Sequence, residues 1–369
     1  MEKWFAFIPK LSLQSTPVRD THKDKMKTTL ATLLLSTRFR LLLAGLILAT
    51  PFMTQAKNGQ AASDMAKAAT ELIASLDSKL KGDATYSFSD KTRDVWHFFP
   101  NWSQRSGIPL SKLSKKQRQP VMKMLSLLLT SEAFKEQENI RLIQGLKKDL
   151  NAPDNPRHLY FISIFGKPSV QSTWGWRFEG HHLSINCTLG EGKNFSVTPS
   201  FWGASPIRVT KGDHKGLEVF KKEQSVSLSL VNSLSDKQKK LAGIKGGKGP
   251  GPTASVSRNV YQPQTGISFS GLDESQQRQL KELVLIFAGK YRPELVKQID
   301  GRKKVLDTSS MSFAYVSGSG SHVPHFRIQT KHYLIEFDNR SGNHVHSAWR
   351  DFDGDFGRDV ISEHLKKNH

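Results

Sequence analysis

Two stretches of this chain, Leu159–Trp202 and Ser312–Trp349, are dense in aromatic and β-branched residues cut by Gly and Pro, and each follows a helical run opened by a capping box. Short loops inside each stretch favour antiparallel pairing, and the helices must bury their apolar stripes against the resulting sheet. The pattern predicts an α+β fold, helices flanking a largely antiparallel sheet, and its recurrence suggests two related halves. Strands are expected near Leu159–Phe165, Trp174–Leu189 (interrupted at Gly180), Asn194–Phe201, Ser312–Val316, His325–Gln329, Tyr333–Asp338 and His344–Trp349. Ser114 with Gln117, Ser235 with Gln238 and Asp273 with Gln276 have capping-box spacing, and an amphipathic helix is expected over Ala61–Lys81. The glycine-rich stretch Gly243–Pro252 lacks phosphate-loop spacing and reads as a flexible loop.

The first 56 residues read differently. An apolar run, Leu41–Phe52, lies behind Arg38 and Arg40 and ahead of Thr54-Gln55-Ala56. It is the length of a signal-peptide core and short for a membrane span. Residues 1–56 are therefore expected to be a signal peptide with an upstream extension, with Met26 as an alternative start. Residues 57–369 are expected to form a single α+β module without a membrane span, periplasmic or secreted.

One cysteine, Cys187, excludes an intramolecular disulfide framework and cysteine-built zinc or iron–sulfur sites. The net charge is +21, of which five charges fall in the first 56 residues. Lysine pairs such as Lys115-Lys116, Lys239-Lys240 and Lys303-Lys304 are scattered and no nucleic-acid motif accompanies them, so nucleic acid is not an expected partner. A small-molecule or envelope-polymer ligand is expected instead.

The polar residues of the β-rich stretches carry the candidate chemistry. In Arg177-Phe178-Glu179-Gly180-His181-His182-Leu183-Ser184-Ile185-Asn186, a regular strand from Gly180 puts His182, Ser184 and Asn186 on one face and His181 on the other, toward a core. In Asn343-His344-Val345-His346, imidazoles two residues apart point to the same side of a strand, as a pair of ligands to one metal must. His182 or His181 as third ligand, with Glu179 or Asp351, would complete a site for a divalent transition metal such as zinc. Without a metal, the same imidazoles could serve as acid and base, held by Arg177, Glu179 and Asp351, which are expected as the accompanying catalytic residues. The acidic run Asp351–Asp359 fails the register of a calcium loop and reads as a turn leading into a final helix. The segment Asp94–Trp102 is expected to be aromatic packing under a loop.

The stretches Tyr160–Pro168, Trp174–Ser184, Phe326–Gln329, Ile335–Asn339, Asn343–Asp351 and Asp355-Phe356-Gly357 closely resemble a bacterial family described as a domain of unknown function, number thirty-five hundred. The resemblance covers about residues 65 to 366 and implies one exported module; it carries no activity to transfer. The residues themselves point to a metal-dependent hydrolase or lyase built on a histidine cluster. The alternative is a non-catalytic envelope protein holding an anionic or carbohydrate ligand with Trp174, Trp176, Trp202 and Trp349.

Overall fold

The computed structural model describes residues 59–100, 102–146, 155–190, 195–244, 263–295, 305–318 and 320–358. The expected signal peptide, nearly all of the glycine-rich loop and the expected final helix lie outside them. The first helical run is not continuous: it divides into α1 (59–75) and α2 (Ser78–Ala84), because Asp77 caps the second piece by accepting from the Leu80 N–H at 2.8 Å. A short β1 (Thr85–Tyr86) and β2 (Ile108–Pro109) precede α3 (Lys115–Leu128) and α4 (Ser131–Gly145). Then come β3 (Phe161–Phe165), β4 (Trp174–Gly180), β5 (Leu183–Leu189), β6 (Phe195–Ser196) and β7 (Ser200–Ala204). The second part has α5 (Lys221–Ser233), α6 (Asp236–Ala242), β8 (Ile267–Ser268), α7 (Glu274–Ala288), β9 (Ser312–Val316), β10 (His325–Gln329), β11 (Tyr333–Asp338) and β12 (Val345–Asp351).

All these strands join one sheet, in the order β1-β3-β4-β5-β7-β12-β11-β10-β9-β8, with β2 also on β3 and β6 also on β5. Among the described residues the β1–β3 ladder is parallel, as is the isolated bridge Gly243–Tyr315, and the other ladders are antiparallel. The fold is thus α+β, as the patterning predicts. The two β-rich stretches meet at its centre, where β7 pairs antiparallel with β12.

The two halves are structural repeats. Gly107 (φ 93°) and Gly266 (φ 96°) each lead into a two-residue strand, a 3₁₀ turn and a helix with a complete capping box. Both glycines sit where a Cβ would strike a strand carbonyl, Ile162 O in one and Phe313 O in the other. The capping glutamines also reach equivalent carbonyls, Gln117 to Ser75 at 2.7 Å and Gln276 to Ser233 at 2.8 Å. Thr85 pairs in parallel with Ile164, and Gly243 makes the matching bridge to Tyr315. The third capping box, at Ser235, corresponds to the Asp77 cap of α2 and marks no third repeat. Down the strands, Arg177 stands between Ser163 and Asn186 as Arg327 stands between Ala314 and Glu336.

Alternation gives the sheet two unlike faces. Trp176, Phe178, Leu183, Ile185, Trp202, Phe313, Phe326, Ile335 and Trp349 point toward the helices and form the main core with Leu72, Val121, Leu125, Leu280 and Val284. The other face carries Ser163, Arg177, Glu179, Ser184, Asn186, His325, Arg327, Glu336 and Arg350, all buried, with the segment 88–105 lying over Arg177 and Glu179 and the turn at 352–358 over Arg350. Trp96, Phe98, Phe201, Ala348 and Phe356 make a second, small apolar cluster there.

Candidate metal centre

The site lies at one end of the β7–β12 seam, on the polar face. His346 lies opposite Gly203, and His344 immediately precedes β12. Gly180 and Leu183 pair across a two-residue turn, so β4 and β5 are joined only by His181-His182. His182 takes φ 66°, a left-handed conformation that costs a residue with a Cβ roughly 1 kcal/mol. It is held there at both ends: its N–H donates to Phe98 O at 3.1 Å, and its carbonyl accepts from Gly203 N–H at 2.7 Å. Gly180 makes no bulge. Its missing Cβ leaves room for the Tyr160 ring, whose hydroxyl donates to His181 O at 2.8 Å.

His182 Nε2 lies 2.9 Å from His344 Nε2, which lies 3.0 Å from His346 Nε2. One potential ligand atom from each ring falls within 4.8 Å of the other two. His182 is buried, His346 half-buried and His344 exposed, so the cluster opens to solvent on the His344 side. Asn339 Oδ1 accepts from the His344 N–H at 3.3 Å, and Asn343 Oδ1 accepts from Ile207 N–H at 3.1 Å, fixing the entry into β12. The His346 ring packs edge-on to Phe98 at 4.7 Å and lies 5.6 Å from Phe201. Burial, with the neighbouring His344, pushes the His346 imidazole down to about 4, so it is neutral at pH 7, the form in which an imidazole can bind a cation.

Gly203 is the space between the rings. A Cβ there would meet Val345 O at 2.6 Å and the Cδ2 atoms of His182 and His346, each at 3.3 Å. Gly203→Ala is expected to lower stability by about 1–3 kcal/mol and to weaken cation binding by spreading the imidazoles, as checked by thermal melts with and without added zinc.

The other residues singled out in the sequence fall elsewhere. His181 is not on the opposite face: the left-handed turn stacks its ring on His182 at 3.9 Å, and it stands behind the cluster, outside the set of three. Glu179 and Arg177 form a clasp. Glu179 Oε1 lies 3.2 Å from Arg177 Nε and Oε2 3.7 Å from Arg105 Nη1, and the three side chains are at most 2% exposed. Arg105 donates to His97 O at 2.6 Å and Phe99 O at 2.5 Å, and Arg177 donates to Thr92 O at 3.0 Å. These charges bind the covering segment to the sheet. Asp351 lies five residues beyond His346, roughly 17 Å along the strand, and accepts from the Asp353 and Gly354 N–H groups at 3.0 and 2.7 Å. It shapes a turn and does not reach the histidines.

The aromatic segment itself lies over the sheet, packing Trp96 and Phe98 on Phe201 and Ala348, and walls the cluster through Phe98. Sequence reasoning missed Gly203, Arg105 and Asp338, the last paired across the strands with His346; its place in the alternating run Tyr333–Asp338 was the available signal. Trp174, Trp176, Trp202 and Trp349 are buried in the main core, so they line no groove for a ligand.

Three imidazoles brought to one point by a duplicated sheet define a candidate metal-binding α+β protein. The chain belongs to the family DUF3500, described as a protein of unknown function, whose model matches residues 58–358. No curated protein matches the chain, and no solved structure does. Among the described residues, no helix is long and apolar enough to cross a membrane.

Proposed function

We propose that His182, His344 and His346 hold a divalent transition metal such as zinc, and that the protein is a metal-dependent hydrolase or lyase acting outside the cytoplasm. The observation that carries this reading is the pair of short contacts at one atom. An imidazole nitrogen has a single in-plane position, filled by either a proton or a lone pair, so it makes one good hydrogen bond. His344 Nε2 has ring nitrogens at both 2.9 and 3.0 Å. A single in-plane position serves only one of those contacts well, whereas a cation bound by the lone pairs would satisfy both. Two of the three separations, 2.9 and 3.0 Å, match the roughly 2.9–3.4 Å between ligands that lie about 2.0–2.1 Å from a common centre, and all three ligand atoms fall within 4.8 Å of one another.

A zinc ion held by three neutral imidazoles keeps a position open and acts there as a Lewis acid on water or a substrate oxygen. The chain's own residues supply the rest. His344 leaves the open side exposed to solvent, while Phe98 and Phe201 exclude water from the side of His346. The clasp of Arg105, Arg177 and Glu179 keeps Phe98 in place. The apolar run Leu41–Phe52 behind Arg38 and Arg40 supports export, and with it a substrate in the periplasm or beyond.

The test is elemental analysis of the protein from Lys57 onward, purified without chelator or metal-affinity resin, beside the His344→Ala/His346→Ala double variant. Near-stoichiometric metal in the first and its loss in the second is the expected result. No metal in either, and none taken up on reconstitution, would overturn the reading.

A further inference from the structure

A row of polar side chains leads away from His346 across the sheet. Register pairs His346 on β12 with Asp338 on β11, and Asp338 with His325 on β10, so the three residues stand side by side on one face. His325 is wholly buried, with Nδ1 3.7 Å from Asp338 Oδ2 and Nε2 4.0 Å from Glu336 Oε1. Glu336 is gripped by Arg327 at 2.7 Å, which fixes the inner end of the row. At the outer end, Arg340 Nε lies 2.9 Å from Asp338 Oδ2, with its side chain 46% exposed. The 2.9 Å ion pair with Arg340, with the His325 ring 3.7 Å away, makes Asp338 an anion on the strand beside His346.

Three neutral imidazoles bring no charge to offset a divalent cation. In a half-buried site, a carboxylate on the neighbouring strand acts on that cation with little screening from solvent. We propose that Asp338 is the positioning carboxylate of this centre, the anion that sets how tightly the three histidines hold a cation, and that Arg340 is the counter-charge that moderates it. The inference rests on the metal reading of His182, His344 and His346. It assigns Asp338 no contact with substrate. Arg340 tempers the affinity by drawing part of the Asp338 field toward solvent.

The two charges give opposite expectations, which a merely structural role would not. Zinc alone is titrated into the full chain in competition with a chromophoric chelator, with melts of the zinc-free proteins alongside. Asp338→Asn, which keeps shape and loses charge, is expected to bind zinc about ten- to a hundredfold more weakly. Arg340→Gln is expected to bind it several-fold more tightly. Asp338→Asn binding within about twofold of the parent, or Arg340→Gln binding more weakly, would overturn the inference. Should Asp338→Asn fail to fold, the exposed Arg340→Gln still decides by the sign of its change. A parent chain that takes up no zinc sinks the metal reading and this inference with it. A parent that binds zinc while Asp338→Asn matches it sinks the inference alone.

Discussion

Replacing Lys290 with methionine is expected to cost about 3–5 kcal/mol and to lower the melting midpoint by roughly 10 °C. Lys290 follows α7, and its ammonium sits between Glu136 of α4 and Glu223 of α5, bonding the first closely and the second at 3.0 Å. It also lies over the Trp202 ring at 4.9 Å and the Phe220 ring at 5.6 Å. Burial opposes its charge, but the two carboxylates hold it above the usual lysine range. Glu136 is driven above the ordinary carboxylate range, burial outweighing the attraction of Lys290. Methionine would fill the volume and leave two buried carboxylates facing each other with nothing between them. The cluster floors an open cavity of about 670 Å³ among α4, α5 and α7, on the helix side of the sheet and away from the histidines. Glu136→Gln and Glu223→Gln added to the lysine variant should recover most of the loss, because the uncompensated charges are then gone. Calorimetric melts of the single and triple variants check this; a single variant within about 1 kcal/mol of the parent would remove the cluster's claim to clasp these helices.

The second large effect is expected at Glu179. Glu179→Ala leaves Arg105 and Arg177 buried without their shared carboxylate, and a loss of about 3–5 kcal/mol follows. The damage should show locally first. The segment 88–105 is fastened by those guanidiniums, so its amides should exchange faster with solvent, and zinc affinity should fall as Phe98 loosens from His346. A Glu179 that acted instead as a catalytic acid would give the opposite pattern, with exchange and melting point preserved. Hydrogen exchange of the parent and the variant separates the two.

Much of this was legible in the chain. Capping boxes, β-rich stretches and the break near Gly180 carry local information, because a cap is decided within four residues and a strand by its alternation. The H-x-H pair was legible for the same reason: two residues apart on a strand means one face. What could not be read was set by partners distant in sequence. The alternation argument placed His181 and His182 on opposite faces, but His182 sits in a turn clamped by Phe98 and Gly203, and the left-handed backbone brings the rings into a stack. Glu179 and Arg177 looked like catalytic groups because charged residues in an apolar strand invite that reading. Their use as fasteners depends on Arg105 and on backbone carbonyls from the segment 88–105, which nothing near residue 179 announces. The helix break at Asp77 was a missed cap inside a pattern that otherwise stayed amphipathic.

The duplication gives the histidine cluster a meaning beyond its chemistry. His182 belongs to the first repeat, His344 and His346 to the second, and the seam between β7 and β12 is where the repeats join. The position matching His182 in the second repeat is His332, whose carbonyl accepts from Phe352 N–H at 2.9 Å just as that of His182 accepts from Gly203 N–H. Phe352 stands there in place of the glycine, so the matching end of the seam lacks the bare backbone that lets two imidazoles close together. Neither repeat owns a complete set of ligands. A cation bound by all three would be a rivet through the joint, its occupancy reporting that both copies have folded and docked, and its removal loosening the bond between them before either sheet half came apart.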